Sequence, residues 1–414
     1  MNVKRPIMAA IANYMMYILV LSYILPSGII GGISIQRICI YALLLLSLVI
    51  ALKENSLLEL IRQFKLELLV IGAGILWWGA GCLRGEAYRT QFFSLLYVTL
   101  FLFIAVVILI RCDVLNLDML VRCILVMLFG KMIEKMGMEL LFLLDRIPYE
   151  QVGELYRNLF GTDVTTMTMD VGAIEFIRVQ SSSDAIVFSL SPALWFLPQI
   201  KKEVRALLFV LTGVFSLIVF SRIYLAQFAF FAFILFVYYG KKASKKIKIG
   251  AVSVLLITAV FWLRPALELI RLRFFSSYVS ESDSIRMEQL EKFMVEIPKH
   301  LWLGKGMGSY LPDYLRSVET PFSYELEYVS YVYQLGILGF VLIIGGMVLV
   351  YVKHIYGYCK YNEKIIKFVS LMIMAWYLLR PVFNPAFLGK QNGFIVLGIF
   401  VINAYCYKKK AFVS

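Results

Sequence analysis

Long apolar runs recur along this chain, and they limit its fold more than any other feature of the sequence. Runs of about 17–25 apolar residues suit α-helices that cross a hydrocarbon core of about 30 Å, where each helix satisfies its own backbone polar groups. The chain is 61% hydrophobic and only 16% charged over 414 residues, with a mean hydropathy of +0.81. A soluble domain of this size could not cover so much apolar surface, and barrel-type alternation is absent. The expected fold is an all-α polytopic membrane protein, a single membrane domain over residues 1–414. Twelve spans are expected at 8–25, 36–52, 67–83, 91–110, 114–131, 184–200, 205–220, 223–239, 249–264, 326–351, 365–380 and 391–407. The first run lacks a small-residue cleavage site and reads as the first span, not as a cleavable signal.

Lysines fall in alternate loops. Lys4, Lys53, Lys65, Lys201, Lys202, the cluster from Lys241 to Lys248, Lys353, Lys360, Lys364, Lys367 and Lys408 to Lys410 all lie on one side of that topology. Positive charge marks the cytoplasmic side, so both termini are expected there. Two long polar loops, 145–183 and 265–325, then face outside. The net charge of +14 is accounted for by these span-end residues, which excludes a nucleic-acid partner and leaves membrane lipids as the expected one. The six cysteines are scattered without redox or metal spacing, and two histidines, His300 and His354, cannot form a histidine metal site. No metal and no cofactor are expected. Lys131, Glu134 and Lys135 interrupt the fifth span. The helix is expected to leave the bilayer near Gly130 and continue as an interfacial amphipathic helix; the alternative is that Lys131 faces a polar cavity.

Arginines distribute differently. Arg84, Arg89, Arg146, Arg157, Arg178, Arg222, Arg264, Arg271, Arg273, Arg286, Arg316 and Arg380 all fall on the outer side, which should be poor in positive charge. Arginine makes two-bonded contacts with phosphate and carboxylate, so the surplus suggests an anionic ligand met outside. Binding to lipid headgroups is the plainer reading of most of them one by one.

The second outer loop is the richest stretch. Asp283 or Ser284 is expected to cap a short helix ending before Pro298, with Met287, Leu290, Phe293 or Met294, and Ile297 as its apolar stripe. Arg286 borders that stripe, as a salt-bridged or snorkelling side chain or as a ligand for an anion. The run Gly304-Lys305-Gly306-Met307-Gly308 can present backbone amides to an anion, or form a plain turn. It has neither the spacing nor the context of a nucleotide-binding loop. Glu325, Glu327 and Tyr328 stand at the outer mouth of the tenth span. The acids are either caps at a helix N-terminus or a general base with an acceptor-binding group beside it. Ser221-Arg222 joins two spans with almost no loop, which places Arg222 at headgroup level or in a protein cavity.

Taken in order, these motifs resemble the O-antigen ligase and polymerase family of bacterial membrane glycosyltransferases. The resemblance rests on Ser221-Arg222 opening a span, on Arg286 leading an outer helix to Pro298 and the glycines 304, 306 and 308, and on re-entry from Glu325 to Gly339 through Gly336-Ile337-Leu338-Gly339. It implies a GT-C-like helical fold in the bacterial cytoplasmic membrane, with the active site facing outside. It implies a metal-independent transfer from a glycan carried on undecaprenyl pyrophosphate, alongside a flippase and a chain-length regulator as partners. Arg222, Arg286 and Glu325 are the catalytic candidates. Arg178, Gly304, Lys305, Gly306, Gly308, Glu327, Tyr328 and Arg380 are the substrate-binding ones. The ligase branch carries His-Asn about ten residues before the Leu-Gly turn, where this chain has Glu325-Leu326. That departure favours a polymerase of capsule, O-antigen or exopolysaccharide over a ligase. A transporter or flippase of lipid-linked sugars is the non-enzyme alternative, and the lack of an internal repeat weighs against it.

Overall fold

The computed structural model describes residues 4–25, 29–30, 33–54, 57–160, 164–171, 174–242, 277–315, 317–382 and 387–411. The ninth expected span, 249–264, lies outside the described residues, as do Arg264, Arg271, Arg273 and Arg316. The described chain forms helices α1 (Lys4–Ser22), α2 (Ile35–Glu54), α3 (Leu57–Gln63), α4 (Lys65–Leu83), α5 (Arg89–Arg111), α6 (Leu117–Leu143), α7 (Tyr149–Phe160), α8 (Asp184–Trp195), α9 (Lys202–Val219) and α10 (Arg222–Lys242). They are followed by α11 (Ser277–Glu296), α12 (Glu327–Gly339), α13 (Gly346–Cys359), α14 (Lys364–Leu379) and α15 (Lys390–Ala411). Strands occur in two short pairs among the described residues, β1 (Ile29–Ile30) with β2 (Ile33–Ser34) and β3 (Thr165–Val171) with β4 (Ile174–Gln180). A helix stands at each of the eleven expected spans that fall within the described residues. Among the described residues, six stretches are long and apolar enough to cross a membrane: Ile35–Glu54, Lys65–Leu83, Arg89–Arg111, Arg222–Gly240, Glu327–Cys359 and Lys364–Val382. The protein is thus an all-α membrane protein.

The chain divides into two compact units. The first holds residues 1–23, 31–127 and 285–414; the second holds 24–30 and 128–284. In the first, α5 packs on α2, α4 and α15. Helix α5 is apolar on every side and contains neither Gly nor Pro, and residues from Leu102 to Ile110 are almost all buried, as a helix without a polar face requires. Small residues let its neighbours close in. A Cβ on Gly393 of α15 would collide with Thr99, and one on Gly74 of α4 with Tyr97. Buried polar groups tie the other end of this bundle. Glu67 accepts from Lys353 Nζ at 2.9 Å and contacts His354 Nε2 at 2.6 Å, while His354 Nδ1 lies 3.3 Å from Arg111.

In the second unit, α8 packs against α9 and α10, and all twelve of its residues are buried. At 12 residues it is about 18 Å long, well short of the expected 184–200 run and of a hydrocarbon core. Pro192 removes one of its amides, and Pro198 follows its end. At the fifth span, helix α6 continues unbroken past Gly130 to Leu143, as either reading of that stretch requires. Lys131 and Lys135 are fully buried, with Nζ atoms 4.0 and 3.4 Å from the Asp184 carboxylate, so the face holding them points into protein. The described residues of the expected loop 145–183 form regular elements. Amphipathic α7 and the β3–β4 hairpin close a small core of Met138, Val152, Tyr156, Ile177 and Val179. The edge of β4 is satisfied by α6 side chains: Ile177 N donates to Glu139 at 3.1 Å, and Lys135 donates to Val179 O at 3.2 Å.

Candidate functional site

The loop that leads into α12 in the first unit is built around a broken helix. Gly336 in α12 has φ 68° and ψ 176°, a left-handed, extended geometry that only glycine adopts readily. The break frees amides and carbonyls that must find partners. The loop supplies them on both sides: Ile337 N donates to Leu301 O at 2.9 Å and Leu338 N to Trp302 O at 3.2 Å. In return Lys305 N donates to Tyr333 O at 2.8 Å and Gly306 N to Gln334 O at 3.1 Å. The two backbones meet so closely that a Cβ on Gly304 would collide with Gln334, and one on Gly336 with Trp302. The glycine loop and the Gly-Ile-Leu-Gly turn are therefore one structural joint.

That joint decides between the two readings of the glycine run. Gly304 N donates to His300 O at 2.8 Å and Gly308 N to the Gln334 side chain at 3.0 Å. With Lys305 and Gly306 also engaged, these four amides are spent within the protein, so the loop shapes the site and is no amide cradle for an anion. The Arg84 guanidinium donates to Gly304 O from the α4–α5 turn. Lys305 reaches over the Tyr333 ring at 5.7 Å and lies in the field of Glu86, whose carboxyl burial pushes up while Lys305 and Arg84 pull it down.

Helix α11 begins at Ser277, ahead of the expected cap at Asp283 or Ser284, and passes into a 3-10 turn, Ile297–His300, that accommodates Pro298. Its docked face carries Gln289 and Phe293, both fully buried, while Met287 and Met294 are exposed. Phe293 joins Leu311, Tyr324 and Tyr333 in the core of the loop. Gln289 fixes the approach to α12, accepting from Glu325 N at 3.1 Å. Arg286, one turn earlier on the same face, binds the side chain of that glutamate, with Nε 2.8 Å from Glu325 Oε2. The pair is mostly buried, its side chains 19% and 13% exposed. Two catalytic candidates are thus in contact.

The other candidates at this mouth form a second cluster. Glu327 is the first residue of α12, and its carboxylate is held both from within that helix and from the approach to α15. It accepts from Phe387 N at 2.8 Å, from Leu388 N at 3.2 Å and from the Tyr331 hydroxyl. Tyr328 donates to Leu378 O at 2.8 Å, and Tyr377 to Phe387 O at 3.1 Å. Arg380, 1% exposed, places its guanidinium 5.9 Å from the Tyr377 ring centre. Glu327, Tyr328 and Arg380 thereby knit α12, α14 and the approach to α15. Beside them is a cavity of about 190 Å³, lined by Phe92, Phe322, Tyr331, Glu327, Thr320 and Ser323 among others.

Arg222 and Arg178 belong to the second unit. Helix α9 ends at Val219, Phe220 takes a left-handed conformation with φ 42°, and α10 starts at Arg222, which makes the hairpin as tight as the sequence implied. Arg178 on β4 donates to Val219 O at 3.1 Å and to the Gln180 side chain. It is 9% exposed, and burial pulls its guanidinium pKa down, with Arg222 adding like-charge repulsion. Arg178 therefore holds the hairpin that carries Arg222. Behind it, Asp184 accepts from Ser181 N and Oγ, each at 2.7 Å, in addition to pairing with Lys135. Sequence reasoning missed Gln289 and Asp184. Gln289 lies three residues past Arg286 on the docked face, so the helical period marks its position; Asp184 gave no local signal. No family model matches the chain, and no characterised protein matches it.

Proposed function

We propose that this protein is a polymerase of bacterial surface polysaccharide with a GT-C-like fold and twelve spans, in the cytoplasmic membrane. In this reading it transfers a growing glycan from undecaprenyl pyrophosphate to a hydroxyl of another lipid-linked repeat unit on the outer face. The observation that carries the reading is the Arg286–Glu325 pair, a guanidinium and a carboxylate 2.8 Å apart at the mouth of an apolar helix. The chemistry calls for both groups. As the anomeric C–O bond breaks, its electron pair leaves with the pyrophosphate, positive charge grows on the sugar, and the acceptor oxygen bonds to the anomeric carbon. A fixed guanidinium stabilises the departing anion without a metal, and a carboxylate takes the proton of the attacking hydroxyl. Arg286 is assigned to the anion and Glu325 to the proton; Arg222, in the other unit, is a separate anion-binding candidate. An arriving pyrophosphate competes with Glu325 for Arg286 and so uncovers the carboxylate as it binds. Arg178 acts by positioning Arg222, and Glu327, Tyr328 and Arg380 by fixing the wall behind Glu325.

Reconstitution with lipid-linked repeat units, read as a product ladder on a gel, tests this. Arg286→Ala and Glu325→Gln should each reduce ladder formation by roughly 10²-fold or more. The charge-swapped double variant Arg286→Glu with Glu325→Arg keeps an ion pair but misplaces both roles, and should stay inactive. Restored activity in the swap would mean that the pair is only a structural tie. A ladder that survives Arg222→Ala combined with Arg286→Ala removes the site, and transfer of one unit without a ladder favours a ligase.

A further inference from the structure

The turn that is joined to α12 at Gly336 lies level with the interior of two helices able to cross a membrane. Leu338, whose amide donates to Trp302 O, is eleven residues past Glu327 in the apolar stretch Glu327–Cys359. Trp77 donates from its indole to Leu303 O at 3.3 Å and to Leu335 O at 2.7 Å. It stands six residues before the end of α4 at Leu83, about 9 Å along that helix. Both helices belong to the same unit as the turn. At this level Leu301, Trp302 and Leu303 are 36%, 62% and 53% exposed. They continue an apolar surface of Ile337 and Leu338 on α12 and Leu76 and Leu83 on α4, all of them exposed.

The backbone of this turn is equipped for a place without water. Five successive carbonyls have protein donors. His300 O accepts from Gly304 N, Leu301 O from Ile337 N, Trp302 O from Leu338 N, Leu303 O from Trp77 and Gly304 O from the Arg84 guanidinium. A loop in water leaves such groups to solvent, whereas irregular backbone at membrane depth persists only where protein satisfies it. Charge stops at the edges of the trio, at Lys299 and Lys305, whose long stems let an ammonium reach lipid headgroups. Three consecutive exposed apolar side chains, one of them a tryptophan, on a surface continuous with two spans suit acyl chains beside the headgroups better than water.

We propose that Leu301, Trp302 and Leu303 form a re-entrant anchor, seated among the lipid acyl chains of the leaflet at the Leu83 end of α4. The anchor ties the turn after α11, and so the helix that carries Arg286, to the bilayer. It stands whether or not the chain is a polymerase. Full-length protein in nanodiscs of dioleoyl phosphatidylcholine, with and without bromine on the acyl chains, tests it. The difference in emission between wild type and Trp302→Phe isolates Trp302 from the other tryptophans. Brominated chains should remove roughly half or more of that difference, as for a ring at the boundary of headgroups and chains, and aqueous iodide should leave it nearly unchanged. A nitroxide on Leu303→Cys, with labelled wild type as background, reads the same place without the indole and keeps the test decisive if Trp302→Phe fails to fold. It should collide more with dissolved oxygen than with a water-soluble nickel chelate, like a nitroxide on Leu76→Cys and unlike one on Val318→Cys. Quenching by iodide and not by bromine, or a Leu303→Cys nitroxide that behaves like Val318→Cys, makes the trio an aqueous loop and overturns the proposal. A nitroxide closed to both reagents puts protein on this surface instead of lipid and overturns it as well.

Discussion

Tyr324 and Asp184 are two residues whose burial sets what they do. Tyr324 is fully buried in the loop before α12, accepts from Leu311 N at 2.7 Å, and has its phenol pushed up to about 12, chiefly by burial. A raised phenol pKa means that the folded state holds the proton more tightly than the unfolded one. Its stabilisation is therefore complete below about pH 10 and is lost as pH rises towards 12, by about 3 kcal/mol for this group. Tyr324→Phe should lower stability by about 1 kcal/mol at pH 8 and flatten the loss between pH 10 and 12; paired thermal melts of the two proteins across that range check it. Asp184 is the carboxylate between two buried lysines. Asp184→Asn takes from both lysines the carboxylate they share and should destabilise by about 3–5 kcal/mol, whereas adding Lys135→Met should recover part of that loss. Chemical denaturation of the three variants in nanodiscs would measure the coupling.

The joint between the glycine loop and α12 behaves as one element although its halves are some thirty residues apart in sequence. Gly336→Ala or Gly304→Ala forces a Cβ onto the opposing backbone at a left-handed φ and should cost several kcal/mol, seen as loss of monodisperse protein. Gly345→Ala is the control. A Cβ there meets nothing within 4 Å, and stability should change by less than about 1 kcal/mol. The sequence alone told little of this. Glycine spacing marked both segments as unusual, but hydrogen bonds between Lys305 and Tyr333 or Leu301 and Ile337 leave no periodic trace. The same holds for Lys131 and Lys135. Their i, i+4 spacing puts them on one helix face, yet only the fold reveals Asp184, far along the chain, as the partner that makes burial tolerable. The β3–β4 hairpin is a different case, because the β-branched alternation in Thr165–Val171 was readable and went unread.

For the whole molecule, hydropathy located the helices well because burial in lipid or protein demands the same apolar content. It located their ends less well, since proline in α8 and buried charge in α6 act against the run-length rule. The side on which each loop lies is an expectation from lysine placement, open to direct measurement. A cysteine introduced at Val318, 82% exposed in the loop before α12, should react with a membrane-impermeant maleimide on intact cells. One introduced at Lys202, whose side chain is 85% exposed, should react only after permeabilisation. The reverse pattern would invert the topology and place the Arg286–Glu325 pair inside the cell.

Helix α5 is apolar on every side and takes α15 as a close neighbour, so the order of synthesis matters to how the first unit is made. Ribosomes add about 5–20 residues per second, so α15 emerges roughly tens of seconds after α5. During that interval α5 has lipid or an insertion chaperone where α15 will lie. The bundle is therefore assembled around a gap that the nascent chain fills late, and biogenesis should be sensitive to lesions in α15.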